Sequence, residues 1–201
     1  MREDWITPWW QAVCLPRKWD VCGFIVPSLS VWHTFALENI GNGFLCGGII
    51  DYDDAASLLL FACRDMKQGL RLIHGHNYRA RQMFRMSKRL NKADWRELEA
   101  ACSEYVTACT RGVSRWQKGG SKSCAVPYQF HIVLRLCRDY GLTQAQAWNS
   151  PYGMARACFD ASTEAAGDDS IMNHAAQEME DNWGEYKDIT GEKNVELVGM
   201  N

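Results

Sequence analysis

Apolar residues recur every three or four positions along much of this 201-residue chain, and this spacing predicts a mainly α-helical protein. The clearest stripe predicts one long helix from Trp95 to Trp116. Asp94 and Glu97 form an acidic variant of a capping box at its start. The members of this stripe are Trp95, Leu98, Cys102, Tyr105, Cys109, Val113 and Trp116.

The pattern before this helix predicts a short strand and two further helices. Residues 20–26 are β-branched and aromatic, which is typical of a strand. Ser28 or Ser30 can cap a helix over residues 30–40, and Gly41 can end it in the left-handed conformation. Asp53 is predicted to cap a nearly all-apolar helix, which should therefore be the most buried one.

Glycines, prolines and capping residues divide the rest of the chain. Residues 69–75 are predicted to be a break, and a basic amphipathic helix follows from Asn77. Four more helices are predicted: one from Pro127 through Phe130, Leu134 and Cys137 to Tyr140, one short helix after Thr143, one after Ser150 and Pro151, and one from Asp169 or Ser170 toward Trp183.

These elements predict a single multi-helix domain over residues 19–183, with a short N-terminal strand. An aromatic, proline-containing arm over residues 1–18 precedes it, and a flexible acidic tail over residues 184–201 follows it. No apolar run approaches the roughly 20 residues that a membrane helix needs. The N-terminus lacks the basic and apolar regions of a signal peptide, so we expect a cytoplasmic protein.

The residue types that carry enzymatic or metal chemistry occur without a matching motif. Nine cysteines include no C-x-x-C pair, and several of them fall on apolar helical stripes, which favours packing. His74 and His76 flank a glycine, without a further ligand at zinc spacing. Three aspartates at 51, 53 and 54 could hold Mg²⁺, but acids at a helix start more often cap it. We therefore predict no enzyme, no metal and no cofactor.

Charge is distributed unevenly, although the net charge is only -2. Residues 64–96 contain ten Lys or Arg and two acids, whereas residues 160–201 contain eleven acids and two lysines. The two segments either pair within the fold or dock different partners. The predicted basic patch consists of Arg79, Arg81, Arg85, Lys88, Arg89 and Lys92.

Two stretches of the chain share motifs with a known family. Residues 22–42 combine a short strand, a helix start of the form Leu-Ser-x-x-His and a Leu-Glu near a glycine turn; the residues are Leu29, Ser30, Trp32, His33, Leu37, Glu38 and Gly41. Residues 124–167 combine a proline-started helix ending at Tyr-Gly, a short Thr-capped helix and a last helix ending in Glu-Ala-Ala-Gly. Both stretches resemble the tail assembly chaperones of long-tailed bacteriophages.

The resemblance implies a small non-enzymatic helical protein that shields the hydrophobic helices of a tape-measure protein until tail-tube subunits polymerise around it. The implied partners are the tape-measure protein and the tail-tube protein, in the host cell cytoplasm. Trp32 and His33 lie in the matching motif, and methionines suit adaptable apolar grooves. We predict that these partners contact Trp32, His33, Met83, Met86, Met154 and Met179.

The alternative is a nucleic-acid-binding phage adaptor that uses the basic helix over residues 79–96. Closely spaced Arg and Lys with nearby aromatic residues are what phosphate neutralisation requires. Salt separates the two hypotheses: nucleic-acid binding should weaken steeply as salt rises, whereas capture of an apolar helix should survive.

Overall fold

The computed structural model describes residues 18–111 and 126–167. Within these ranges the chain forms a β-hairpin and then nine helices, so the prediction of a mainly α fold with a short N-terminal strand is confirmed. The strands are β1 (Trp19–Val21) and β2 (Phe24–Val26). The helices are α1 (Val31–Asn39), α2 (Gly43–Cys46), α3 (Tyr52–Ala62), α4 (Met66–His74), α5 (His76–Leu90), α6 (Trp95–Thr110), α7 (Tyr128–Tyr140), α8 (Gln144–Asn149) and α9 (Tyr152–Ala165).

Several predictions lie outside the described residues. They are the N-terminal arm except for its last residue, the long helix beyond residue 111, the helix that leads to Trp183 and contains Met179, and the acidic tail over residues 184–201.

Helix α3 lies at the centre of the hydrophobic core. Every residue from Ala55 to Ala62 is buried, as the apolar sequence predicts. α3 packs against α1, α5 and α6, while α7 packs against α1, α8 and α9. The core cluster extends from Val21 to Ala155, so the two described ranges share one core.

The capping residues begin most helices where the sequence predicts, with one correction. Ser30 caps α1, and Thr143 caps α8 in a capping box with Gln146. The cap of α3 is Asp51 and not Asp53, because Asp51 accepts from the backbone N–H of Asp54 at 2.9 Å. The Asp54 carboxylate in turn accepts a hydrogen bond from the Asp51 N–H at 3.1 Å, which completes a capping box at this position.

The predicted break over residues 69–75 is wrong, because most of it belongs to α4. Asp65 caps this helix by accepting from the Gln68 N–H at 2.7 Å. Gly69 lies inside α4 for a packing reason: a Cβ there would be 2.8 Å from Cζ2 of Trp32. The glycine thus allows α4 to approach α1 closely, and the chain breaks only at Gly75.

The single strand predicted over residues 20–26 is a hairpin of two short strands. Trp19 pairs with Val26 and Val21 with Phe24 in antiparallel register. Cys22 and Gly23 form the turn with φ values of 50° and 82°, the positive values that a two-residue hairpin turn favours.

Two sets of contacts hold the segment after the hairpin against distant helices. The Tyr105 hydroxyl of α6 donates to the Pro27 carbonyl at 2.6 Å. Leu29 and Val31 exchange backbone hydrogen bonds with the α8–α9 junction, at 2.7 Å to the Tyr152 N–H and 3.1 Å to the Ser150 carbonyl. The start of α1, which carries the first family-like motif, is therefore fixed from both described ranges.

Candidate functional site

Helix α5 presents a basic face to solvent. Met86 and Leu90 bury one side of the helix. Arg81 and Lys88 project away from that side, and Arg85 and Arg89 flank it. Phe84 lies among them with 71% of its side chain exposed. We call the exposed residues Arg81, Phe84, Arg85, Lys88 and Arg89 the basic face.

Among the described residues, no carboxylate pairs with the charges of the basic face. α5 contains no acidic residue, and none of its Arg or Lys side chains forms an ion pair within the described part of the chain. The observed ion pairs lie on α7 and α9 instead. Within the described residues, the basic face is therefore a cluster of positive charge.

The remaining two predicted patch residues lie elsewhere. Arg79 is half-buried on another side of α5, where it lines a cavity with Met83 and the three aspartates of the α3 start. Lys92 is exposed in the turn that follows α5. The structure thus brings Arg81, Arg85, Lys88 and Arg89 together and separates Arg79 from them.

A second surface of interest is an apolar strip centred on α7. The sequence predicts a helix through Phe130 and Leu134, and in the structure 37% of Phe130 and 64% of Leu134 are exposed. The buried positions are Gln129, Ile132, Val133 and Leu136. Apolar residues thus occur on both the buried and the exposed sides of α7. The sequence already shows this, because its apolar positions are not confined to one narrow helical stripe.

Aromatic rings form the floor of this strip. Phe130 meets Trp148 of α8 edge to face at 5.1 Å and Phe35 of α1 at 5.5 Å between ring centroids. Phe35 is half-buried and Trp148 is buried. We call Phe35, Phe130, Leu134 and Trp148 the apolar strip.

Trp32 and His33, which the sequence predicts as partner contacts, are both buried in the structure. Trp32 is 4% exposed and packs against Phe35 and Gly69. His33 is buried, and its Nε2 donates to the Arg64 carbonyl at 2.7 Å while its Nδ1 accepts from the Ser30 N–H at 3.0 Å. Both side chains therefore attach α1 to neighbouring segments: Trp32 packs against α4, and His33 is hydrogen-bonded to the Arg64 carbonyl after α3.

The four methionines predicted as contacts occupy different environments. Met83 and Met86 belong to α5; Met86 is buried and Met83 is half-buried. Met154 is exposed at the start of α9. Met179 lies outside the described residues. Met154 is thus the described methionine that an incoming partner can reach most readily.

Two of the cysteines on the predicted apolar stripes, Cys102 and Cys109, are buried in the core. Burial raises the pKa of Cys102 to about 12 and that of Cys109 to about 11, so both remain protonated thiols in the core. Cys109 accepts a hydrogen bond from the Leu29 N–H at 3.4 Å. In residues 18–111 and 126–167, no three His, Cys, Asp or Glu side chains are grouped to hold a metal ion.

Comparison of this chain with protein-family models, curated proteins and solved structures finds no match. Among the described helices, none has both the length and the apolar composition to cross a membrane.

Proposed function

We propose that this protein is a non-enzymatic phage tail assembly chaperone, which binds helical segments of a tape-measure protein before the tail tube polymerises. The apolar strip is the observation that supports this proposal. Exposed apolar side chains that lie together at i and i+4 on one helix suit the apolar face of a client helix. The family-like motifs of residues 22–42 and 124–167 supply two of its elements, α1 and α7.

A cluster of polar contacts links α7, which carries the strip, to α9. Behind α7, Asp139 accepts from Arg138 Nε at 2.6 Å, from Arg135 at 3.4 Å and from the Ser162 hydroxyl of α9. These hydrogen bonds and the neighbouring arginines hold the pKa of Asp139 well below its usual range.

The binding role of the strip predicts that Leu134→Asp weakens client capture at least about tenfold. The substitution removes one apolar anchor, worth about 1.5–3 kcal/mol when fully buried, and places a charge where the client should bury it. The measurement is co-expression with the tape-measure protein of the same phage, followed by quantification of soluble client that co-purifies with this chain.

Ile49→Asp is the matched control, since Ile49 is 95% exposed and lies outside the strip. We expect this variant to capture the client as the wild type does. Equal capture by Leu134→Asp and the wild type would refute the role of the strip. Gene order tests the family separately: a tail-tube gene upstream and a long helix-rich reading frame downstream support it, and packaging or replication genes on both sides contradict it.

A second candidate function is nucleic-acid binding through the basic face, and the exposed ring of Phe84 favours it. An exposed aromatic ring among basic side chains offers a base-stacking surface beside charges that can contact the phosphate backbone. Phe84 and Arg81 are separated by three positions, as are Arg85 and Lys88, so these side chains lie together along one helix face.

Salt dependence distinguishes this second function from the first. If four basic residues of the face contact phosphates, oligonucleotide affinity should fall with a log–log slope of about -3 in salt. Fluorescence anisotropy of a labelled oligothymidylate measures it. Affinity that does not change with salt would exclude this function, whereas client capture by the apolar strip should survive the same salt range.

A further inference from the structure

Three arginines from two segments surround one surface cavity beside α5. Arg85 and Arg89 project from α5, and Arg64 follows the end of α3. The cavity has a volume of about 250 Å³, and Leu60, Gln82 and Met86 complete its lining. We call it the arginine cavity. It uses only part of the basic face, because Arg81, Phe84 and Lys88 do not line it.

The three guanidinium groups have no carboxylate partner among the described residues. No ion pair involves them, and the buried Nε of Arg64 has no hydrogen-bond partner. Asp65 is the acid next to Arg64 in sequence, but its carboxylate caps α4. Like charges around one cavity repel each other, so an anion bound there would be stabilised by all three.

The surroundings of the cavity strengthen this attraction. Leu60 and Met86 are buried apolar side chains, and such a lining lowers the local dielectric. The carbonyl end of α3 contributes about half a negative charge, which three full positive charges outweigh. The space greatly exceeds the roughly 30 Å³ of one water molecule, so a phosphate group fits with part of its hydration.

We propose that the arginine cavity is a binding site for a phosphate group. Guanidinium forks donate paired hydrogen bonds to the oxygens of a tetrahedral phosphate, and all three arginines line the cavity that would hold it. The site goes beyond the chaperone function and does not depend on it. The phosphate can be a free anion or belong to a nucleic-acid backbone, because both present the same oxygens.

The test is binding of inorganic phosphate to the full chain, followed by ³¹P NMR and by thermal unfolding, with sodium chloride at equal ionic strength as the reference. We expect phosphate to broaden the ³¹P signal and to raise the unfolding temperature more than chloride does. Arg85→Gln with Arg89→Gln should weaken phosphate binding at least about tenfold, because each removes a charge-assisted donor.

Arg81→Gln with Lys88→Gln is the matched control. It removes the same charge from the same helix, but both side chains lie outside the cavity. We expect at most about a twofold change in phosphate affinity, through the weaker field alone. Equal losses in the two double variants, or equal effects of phosphate and chloride on the wild type, would overturn the site.

An oligothymidylate then separates the two sources of phosphate. If the oligonucleotide displaces inorganic phosphate and Arg85→Gln with Arg89→Gln weakens both, the cavity receives a backbone phosphate. If phosphate binding requires these arginines and the oligonucleotide does not displace it, the cavity receives a free phosphate anion. Both outcomes support the site, and its failure would leave the client-capture test of the apolar strip unaffected.

Discussion

Trp32→Ala should lower the free energy of unfolding by about 3–5 kcal/mol, the range for removing a buried Trp or Phe. The indole is 4% exposed and fills the space between α1 and α4, where it packs against Phe35 and Gly69. Its buried Nε1 has no hydrogen-bond partner, so packing is what the substitution removes. Urea unfolding followed by far-UV circular dichroism measures the loss.

Gly69 provides an internal check on this packing. In the wild type, Gly69→Ala should destabilise the protein by about 1–3 kcal/mol, because the new methyl group meets the indole. In the Trp32→Ala background the same substitution should become stabilising by up to about 1 kcal/mol, since Ala favours a helix over Gly. The sign reversal in this double-mutant cycle identifies the contact.

Leu70→Ala on α4 is the control, because that side chain is largely outside the core and should cost less. If Trp32→Ala leaves stability unchanged and abolishes client capture, the predicted partner role of Trp32 is right and the packing role is wrong.

His33 should make the protein less stable as the pH falls from about 7 to about 5. Burial lowers the pKa of His33 below its ordinary value of 6.5, although the hydrogen bond to the Arg64 carbonyl opposes this shift. The unfolded chain therefore takes up the proton before the folded chain does, and the stability that neutral His33 contributes is lost as the pH falls below about 6.5.

The geometry explains why the neutral ring is required. The Arg64 carbonyl can only accept, so Nε2 carries the hydrogen and Nδ1 is the acceptor for the Ser30 N–H. A proton on Nδ1 would leave that buried N–H without its acceptor. Acid should therefore weaken the capped start of α1, while the hydrogen bond from Nε2 to the Arg64 carbonyl is retained.

His33→Gln should flatten the pH dependence while costing about 1–3 kcal/mol at neutral pH, because it loses at least one of the two buried hydrogen bonds. His76→Gln is the control, since His76 is exposed at the start of α5 and should leave the pH profile unchanged. The measurement is urea unfolding at several pH values. A profile that is identical in the wild type and in His33→Gln would show that another group is responsible.

The local elements of this fold could be predicted from short-range chemistry. Ser30 and Thr143 cap their helices, Gly41 and Gly141 follow helices with positive φ, and Asp94 precedes α6, all as predicted. These features depend on hydrogen bonds within about one turn of the chain, so the sequence contains all the groups involved. The apolar run of α3 likewise predicted the centre of the core.

Errors arose where a distant side chain decides the local structure. Gly69 was predicted to lie in a break between helices, but it lies inside α4 and leaves space for the Trp32 side chain of α1. The sequence includes Phe130 and Leu134 in a helix without saying which side of it is buried, and the structure buries Ile132, Val133 and Leu136 instead. Periodicity finds apolar positions without showing which of them another element will bury.

The sequence by itself determined the helical class, the principal capping residues and the positive charge of α5, because each of these depends on neighbours within a few positions. Only the tertiary structure decided which residues are accessible. It buried Trp32 and His33, exposed the apolar strip, and placed Arg64 beside Arg85 and Arg89 around one cavity. The physical reason is that segments far apart in the chain decide by their packing which side chains are buried and which charges lie close together. A local sequence pattern does not contain this information.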